Sequence, residues 1–209
     1  MNRLTVLTAV RAIVALATLV AIAAQLKVAA DAGVLDPINF FSYFTIQSNL
    51  IGAAVLLYLV VRSAAPRSAR VDWWRGAAAV YLTVTFAVVI LLLSNVDVGL
   101  QLPWVDFVLH KLMPVVVVAD YVIDPPQNRL SMRDGFLWLV YPVIWLAYTL
   151  IRGPIAGWYP YPFLDPANGG YGAVAVTSVA ILVTGAILCA VFVAVGNARG
   201  GGRSSLTSA

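Results

Sequence analysis

The stretch 38-INFFSYFTIQSNLIG-52 decides how this chain is read. It opens an apolar run from Ile38 to Val61, long enough as a helix to cross a hydrocarbon core of roughly 30 Å. Yet its first half carries Asn39, Ser42, Thr45, Gln47, Ser48 and Asn49. At about 100° per residue on one helix, Ser42, Thr45, Ser48, Asn49 and Gly52 share an arc of about 120°, and Gln47 points elsewhere. Polar side chains sorted onto one face of a membrane helix face the bundle interior or a wet cavity. Hydrogen bonding between helices and a functional site both fit this pattern.

The rest of the chain supports a membrane setting. Mean hydropathy is +0.91, 62% of residues are hydrophobic, 11% are charged, and there is no glutamate. A soluble domain of 209 residues would need more charge to cover itself. Six spans are predicted, at Leu4–Leu26, Ile38–Val61, Trp74–Ser94, Trp104–Ile123, Phe136–Leu150 and Tyr171–Val195. They form one all-α, six-helix transmembrane domain over residues 1–196, and in lipid they must be helical. The fifth is short, with an extension to Ile155 or a break at Pro142 or Pro154 left open. Asp36-Pro37, Ala65-Pro66, Pro103, Pro125-Pro126, Gly153-Pro154 and Gly169-Gly170 mark the breaks. The Gly/Ser-rich segment 197–209 is expected to be a disordered tail. Arg3 followed by an apolar run and 20-VAIAAQ-25 mimics a signal peptide, but the run is long for one and is read as the first span.

Ten arginines lie at one set of span ends, and only Lys27, Lys111 and Arg152 at the other. The positive-inside rule then makes both termini cytoplasmic, in a bacterial plasma membrane. Trp104, Trp158, Tyr159 and Tyr161 are expected to decorate the outer rim. The net charge of +4 reads as topology and lipid attraction. No clustered basic face with stacking aromatics suggests a nucleic-acid partner. Cys189 is the single cysteine, a packing residue in an apolar run. No cofactor or metal is called for, since one histidine cannot give bis-His haem ligation and no Cys/His constellation exists. No oligomeric state follows from the pattern.

The fourth span carries the one histidine, His110, with Asp106 one turn before it. An i, i+4 pair meets on one helix face, so Asp106 is placed to orient the imidazole and stabilise its cation. Lys111 is expected to point off that face, and Pro114 to kink the helix below. Measured from the outer ends of their spans, Thr45 lies about 10 Å deep and His110 about 9 Å. A hydroxyl and a base at matching depth are the minimum for nucleophilic catalysis. A polar contact at the rim is the alternative.

The motifs 39-NFFSYFTIQSNL-50, 109-LHKLMP-114 and 157-GWYPYPFLDP-166, with Arg152 upstream, resemble a prokaryotic six-span family. That family looks related to the androgen-induced and androgen-dependent TFPI-regulating membrane proteins of animals, which are intramembrane threonine hydrolases of fatty acid esters of hydroxy fatty acids. The resemblance implies a lipid-ester hydrolase, with a membrane lipid or lipid-like ester as substrate. Thr45 matches the nucleophile and His110 the base. In that mechanism Asn49 or Ser48 would donate to the oxyanion, and Asp106 would orient the base. A non-catalytic lipid-binding or transport protein with the same polar cavity is the competing class.

Tyr141, Trp145, Tyr148 and Arg152 lie on one face of the fifth span. Together with Ser42 they are candidate substrate-binding residues, or else packing plus an interfacial anchor. Arg152 needs a partner, with Asp106 or Asp165 the candidates. Arg11 and Asp120, one near each inner span end, are expected to pair as a structural clamp. The loop 157–172 is a lid over the site or an interfacial anchor.

Overall fold

A computed structural model describes residues 2–94 and 102–200, and all their regular structure is helical. The expected tail beyond residue 200 and the expected outer loop at 95–101 lie outside the described residues. Among the described residues, five helices are long and apolar enough to cross a membrane, the run Met132–Ala156 counted as one, as in an integral membrane protein.

Helix α1 runs Arg3–Asp31, capped by the Asn2 side chain and stopped at Gly33. Gly33 takes φ +68, the left-handed turn that closes helix C-termini. The second span is not one helix. Helix α2 covers Pro37–Ser42 and α3 covers Phe44–Val61, with Tyr43 extended between them at φ −64 and ψ 126. Helix α4 runs Ala69–Leu92 behind the Ser68 cap, beginning before the predicted Trp74.

The expected span 104–123 is a continuous helical run in three parts. Helix α5 covers Pro103–Phe107, a π turn covers Val108–Leu112, and α6 covers Met113–Ile123. Helix α7 covers Met132–Leu137 behind a Ser131/Asp134 capping box, and α8 covers Val140–Ala156. Regular α-helix is interrupted between them at Trp138–Leu139, one turn before Pro142, which has no N–H for the Trp138 carbonyl four residues back; Pro154 lies inside α8 without breaking it. That carbonyl accepts instead from the Tyr81 hydroxyl at 2.8 Å. Two short 3₁₀ turns, Pro162–Leu164 and Pro166–Asn168, lead to α9 at Gly170–Gly200. Residues 197–200, expected to begin the loose tail, are helical. The Asn197 amide holds both the N–H and the carbonyl of Leu130, at 2.9 and 2.8 Å.

Helix α4 is the central element, packed against α3, α6, α7 and α9. Its run Gly76, Ala77, Ala78, Ala79 and Val80 is buried, and these small side chains let neighbouring backbones come close. The Trp138 ring lies directly on Gly76.

The ends of α1, α4 and α6 on the arginine-rich side come together. Arg3 reaches the Ile123 carbonyl. The expected Arg11–Asp120 pair is present at 2.6 Å and belongs to a larger cluster. Arg11 and Arg67 share one oxygen of Asp124 at 2.6 and 2.5 Å. Arg75 reaches Asp120 at 3.0 Å, and Asp72 faces Arg67 at 3.3 Å and Arg75 at 3.6 Å. Three guanidiniums thus meet three carboxylates, so the buried charge balances. Unpaired, each would carry a desolvation cost of several kcal/mol.

Two predictions follow from this packing. Gly76→Ala should lower stability by about 1–3 kcal/mol, since the rigid indole of Trp138 cannot yield. Gly52→Ala should cost less, because its nearest neighbours are the flexible ends of Met113 and Leu82. Thermal unfolding of the two variants in detergent compares them, and a smaller loss for Gly76→Ala refutes the packing argument. Asp120→Asn should cost about 3–5 kcal/mol by leaving Arg11 and Arg75 undercompensated. Asp31→Asn, in the exposed Lys27–Asp31 pair, should leave the midpoint nearly unchanged.

Candidate functional site

The break at Tyr43 shapes the site. Interrupting a helix in an apolar setting strands backbone groups, and nearby polar side chains take them up. Ser42 Oγ donates to the Ile38 carbonyl at 2.6 Å. Gln47 Nε2 reaches across the break to the Phe41 carbonyl at 2.7 Å, and Trp145 Nε1 donates to the Ser42 carbonyl at 2.9 Å. The Tyr43 ring is held edge-on against Trp158 and Tyr161, with centroids 5.5 and 5.7 Å away. Most of the polar residues at 39–49 therefore serve the backbone or a neighbouring helix.

Thr45 is placed differently. It sits in the first turn of α3 with its hydroxyl 3.1 Å from the Tyr161 hydroxyl, and its backbone N–H donates to the same oxygen at 3.1 Å. Tyr161 is 6% exposed, folded inward rather than decorating the rim as the sequence suggested. Burial pushes its phenol up to about 12, so it is neutral at ordinary pH and keeps a proton to donate.

His110 lies in the π turn, also buried, with Nδ1 2.8 Å from Asp106 Oδ1. The expected Asp106–His110 contact is therefore present. The ring's other nitrogen is left to face away from Asp106. Lys111, expected to point away, reaches the second Asp106 oxygen at 3.3 Å, because the wider π turn carries it round.

The π turn has a local cause. Met113 N–H donates to the Val108 carbonyl, five residues back. Pro114 has no N–H to offer the Leu109 carbonyl in the same pattern. Asn49 Nδ2 fills that place at 3.1 Å and donates to the Thr45 carbonyl at 2.8 Å. Both amide hydrogens of Asn49 are thus committed, which makes it an orienting residue rather than an oxyanion donor. Ser48 lies 3.1 Å from both the Thr45 carbonyl and Thr85 Oγ1, so it also serves packing.

Thr45 and His110 line one cavity of about 200 Å³, together with Gln25, Asn39, Tyr43 and Tyr161. On the other side of Thr45 and Tyr161 lies a narrow apolar slot of about 70 Å³, between α4, α8 and α9. Val88, Leu146, Phe163 and Leu182 help to wall it. Thr45 and Tyr161 are the residues common to both spaces.

Of the expected substrate-binding residues, Trp145 lines the slot. Tyr148 bonds Ser42 Oγ at 2.9 Å, and Tyr141 donates to Gln47 Oε1. Arg152 meets neither Asp106 nor Asp165. It donates to Asn39 Oδ1 at 2.8 Å and lies over the Trp158 ring at 5.7 Å. Asp165 instead accepts the Ala167 N–H. Tyr161, Trp158 and Asn39 are cavity residues that the sequence reading did not assign to the site. The run Tyr159-Pro160-Tyr161-Pro162 was the one available signal, a stiff aromatic loop.

No protein-family model matches the chain, and no curated protein or solved structure matches it significantly.

If Asn49 fixes the π turn, Asn49→Leu should destabilise the protein by about 1–3 kcal/mol, the cost of an unmet buried carbonyl. Amide hydrogen exchange at 108–115 should rise more than exchange in α9. Uniform exchange changes along the chain would count against this role.

Proposed function

We propose that this protein is an intramembrane lipid-ester hydrolase, with Thr45 as nucleophile and His110 as general base. The observation that carries the reading is the position of Thr45 between a polar cavity containing the Asp106–His110 pair and an apolar slot. An ester has the same division, a polar carbonyl joined to an apolar chain.

His110, oriented by Asp106, takes the Thr45 hydroxyl proton across the cavity, directly or through one water. Thr45 Oγ1 bonds to the ester carbonyl carbon, and the carbonyl oxygen becomes an oxyanion. The neutral Tyr161 phenol, which accepts from the Thr45 N–H, donates to that oxyanion, and the dipole at the start of α3 favours the negative charge. The intermediate collapses, the alkoxide leaves with the proton from His110, and the acyl group stays on Thr45. Water, deprotonated by His110, then releases the acid and restores the hydroxyl. The acyl chain lies in the slot between α4, α8 and α9, extending toward the bilayer.

In this reading the run Pro103–Ile123 is the fourth of six spans, with its π turn at the site. Both termini are cytoplasmic, the membrane is a bacterial plasma membrane, and the site lies in its outer-leaflet half. The concentration of arginines at one end supports that orientation. The family resemblance of the Thr45, His110 and 157–166 motifs supports the chemistry. One observation favours the competing class: a helix broken at Tyr43, with the start of α3 facing a polar cavity, is how many transporters bind solutes.

A fluorophosphonate probe and a series of fatty acyl esters separate the two. The wild type should be labelled and active, and Thr45→Ala should lose both. His110→Ala should fall by about 10²-fold or more, and Tyr161→Phe by about 10²-fold. Labelling that persists in Thr45→Ala, or ligand retention without turnover, would establish binding or transport instead.

A further inference from the structure

At the arginine-rich end, beside the balanced ion cluster, lies a second cavity of about 530 Å³. Its charged lining is Arg3, Arg11, Arg62, Arg67 and Asp124, and Leu4, Leu7 and Leu59 form an apolar wall. Arg11 and Arg67 are held by the cluster's carboxylates. Arg3 and Arg62 are surplus. Arg3 bonds the neutral Ile123 carbonyl, and the Arg62 side chain makes no hydrogen bond or ion pair among the described residues. Two uncompensated guanidiniums thus face a space already lined by two more, with one carboxylate between them.

A ligand for this space must be anionic, and compact enough to accept from several planar N–H forks. Phosphate has that geometry, since its oxygens take paired bonds from guanidinium groups. The leucine wall suits a ligand that also carries an apolar part. We propose that this cavity binds a phosphate group, either free or in the headgroup of an anionic lipid. The site is remote from Thr45 and independent of the hydrolase reading.

The full chain, purified in detergent, is titrated with phosphatidylglycerol, with phosphatidylcholine and with inorganic phosphate, and binding is read by native mass spectrometry and calorimetry. Phosphatidylglycerol should bind at least tenfold more tightly than phosphatidylcholine. The double variant Arg3→Gln/Arg62→Gln should weaken that binding roughly thirty-fold, the effect of two basic side chains at an anionic surface. Both side chains are at the surface, so its thermal midpoint should match the wild type. The control Arg129→Gln/Arg133→Gln, removing exposed charges elsewhere at the same end, should leave binding unchanged. Displacement of the lipid by inorganic phosphate assigns the site to phosphate itself, whereas resistance to displacement assigns it to the lipid headgroup. Equal affinity for the two lipids with no phosphate binding overturns the proposal. So does an undiminished affinity in the Arg3/Arg62 variant, or an equal loss in the control.

Discussion

One side-chain amide sets the geometry of the candidate site. In a π turn followed by proline, the Leu109 carbonyl has no backbone donor, and burial makes that deficit costly. Asn49 supplies the donor from α3 and, with its other hydrogen, holds the Thr45 carbonyl. The start of α3 and the turn bearing His110 are thereby fixed to each other. Thr45 and His110 reach one cavity because the backbones beneath them share this amide.

The same demand explains the other polar groups. Ser42, Gln47 and Trp145 satisfy carbonyls around the Tyr43 break. Asn197 closes the loop at Leu130, and Tyr81 meets the Trp138 carbonyl that Pro142 leaves without a donor. Where the group is charged, the answer is a cluster of both signs. Arg11, Arg67 and Arg75 against Asp72, Asp120 and Asp124 join α1, α4 and α6 at one end of the bundle. The opposite half, at Thr45, commits most of its polar side chains to backbone carbonyls or neighbouring helices. That leaves the hydroxyl, the imidazole and the Tyr161 phenol to face open space.

Much of this was legible beforehand. The apolar runs located the long helices. The i, i+4 spacing of Asp106 and His110 correctly anticipated their contact, because that contact is local to a single turn. The pairing of Arg11 with Asp120 was also readable, since charges at similar depths in lipid seek each other. The inward turn of Tyr161 was not. Tyrosine at a membrane boundary ordinarily anchors at the interface, and here the hydrogen bonds with Thr45 and the ring contacts with Tyr43 and Phe163 draw it in.

The chain by itself determined that its long helices are apolar, that its arginines gather at one set of ends, and that a threonine and a histidine occupy polar stripes. These properties depend on composition and on spacing along one helix. Tertiary structure alone decided where the second span breaks and which of the six polar residues, Asn39 and Thr45, reach a cavity. No proline or glycine marks the break at Tyr43, so nothing local requires it. Side chains more than a hundred residues distant hold it open, by satisfying backbone groups that an unbroken helix would have satisfied itself.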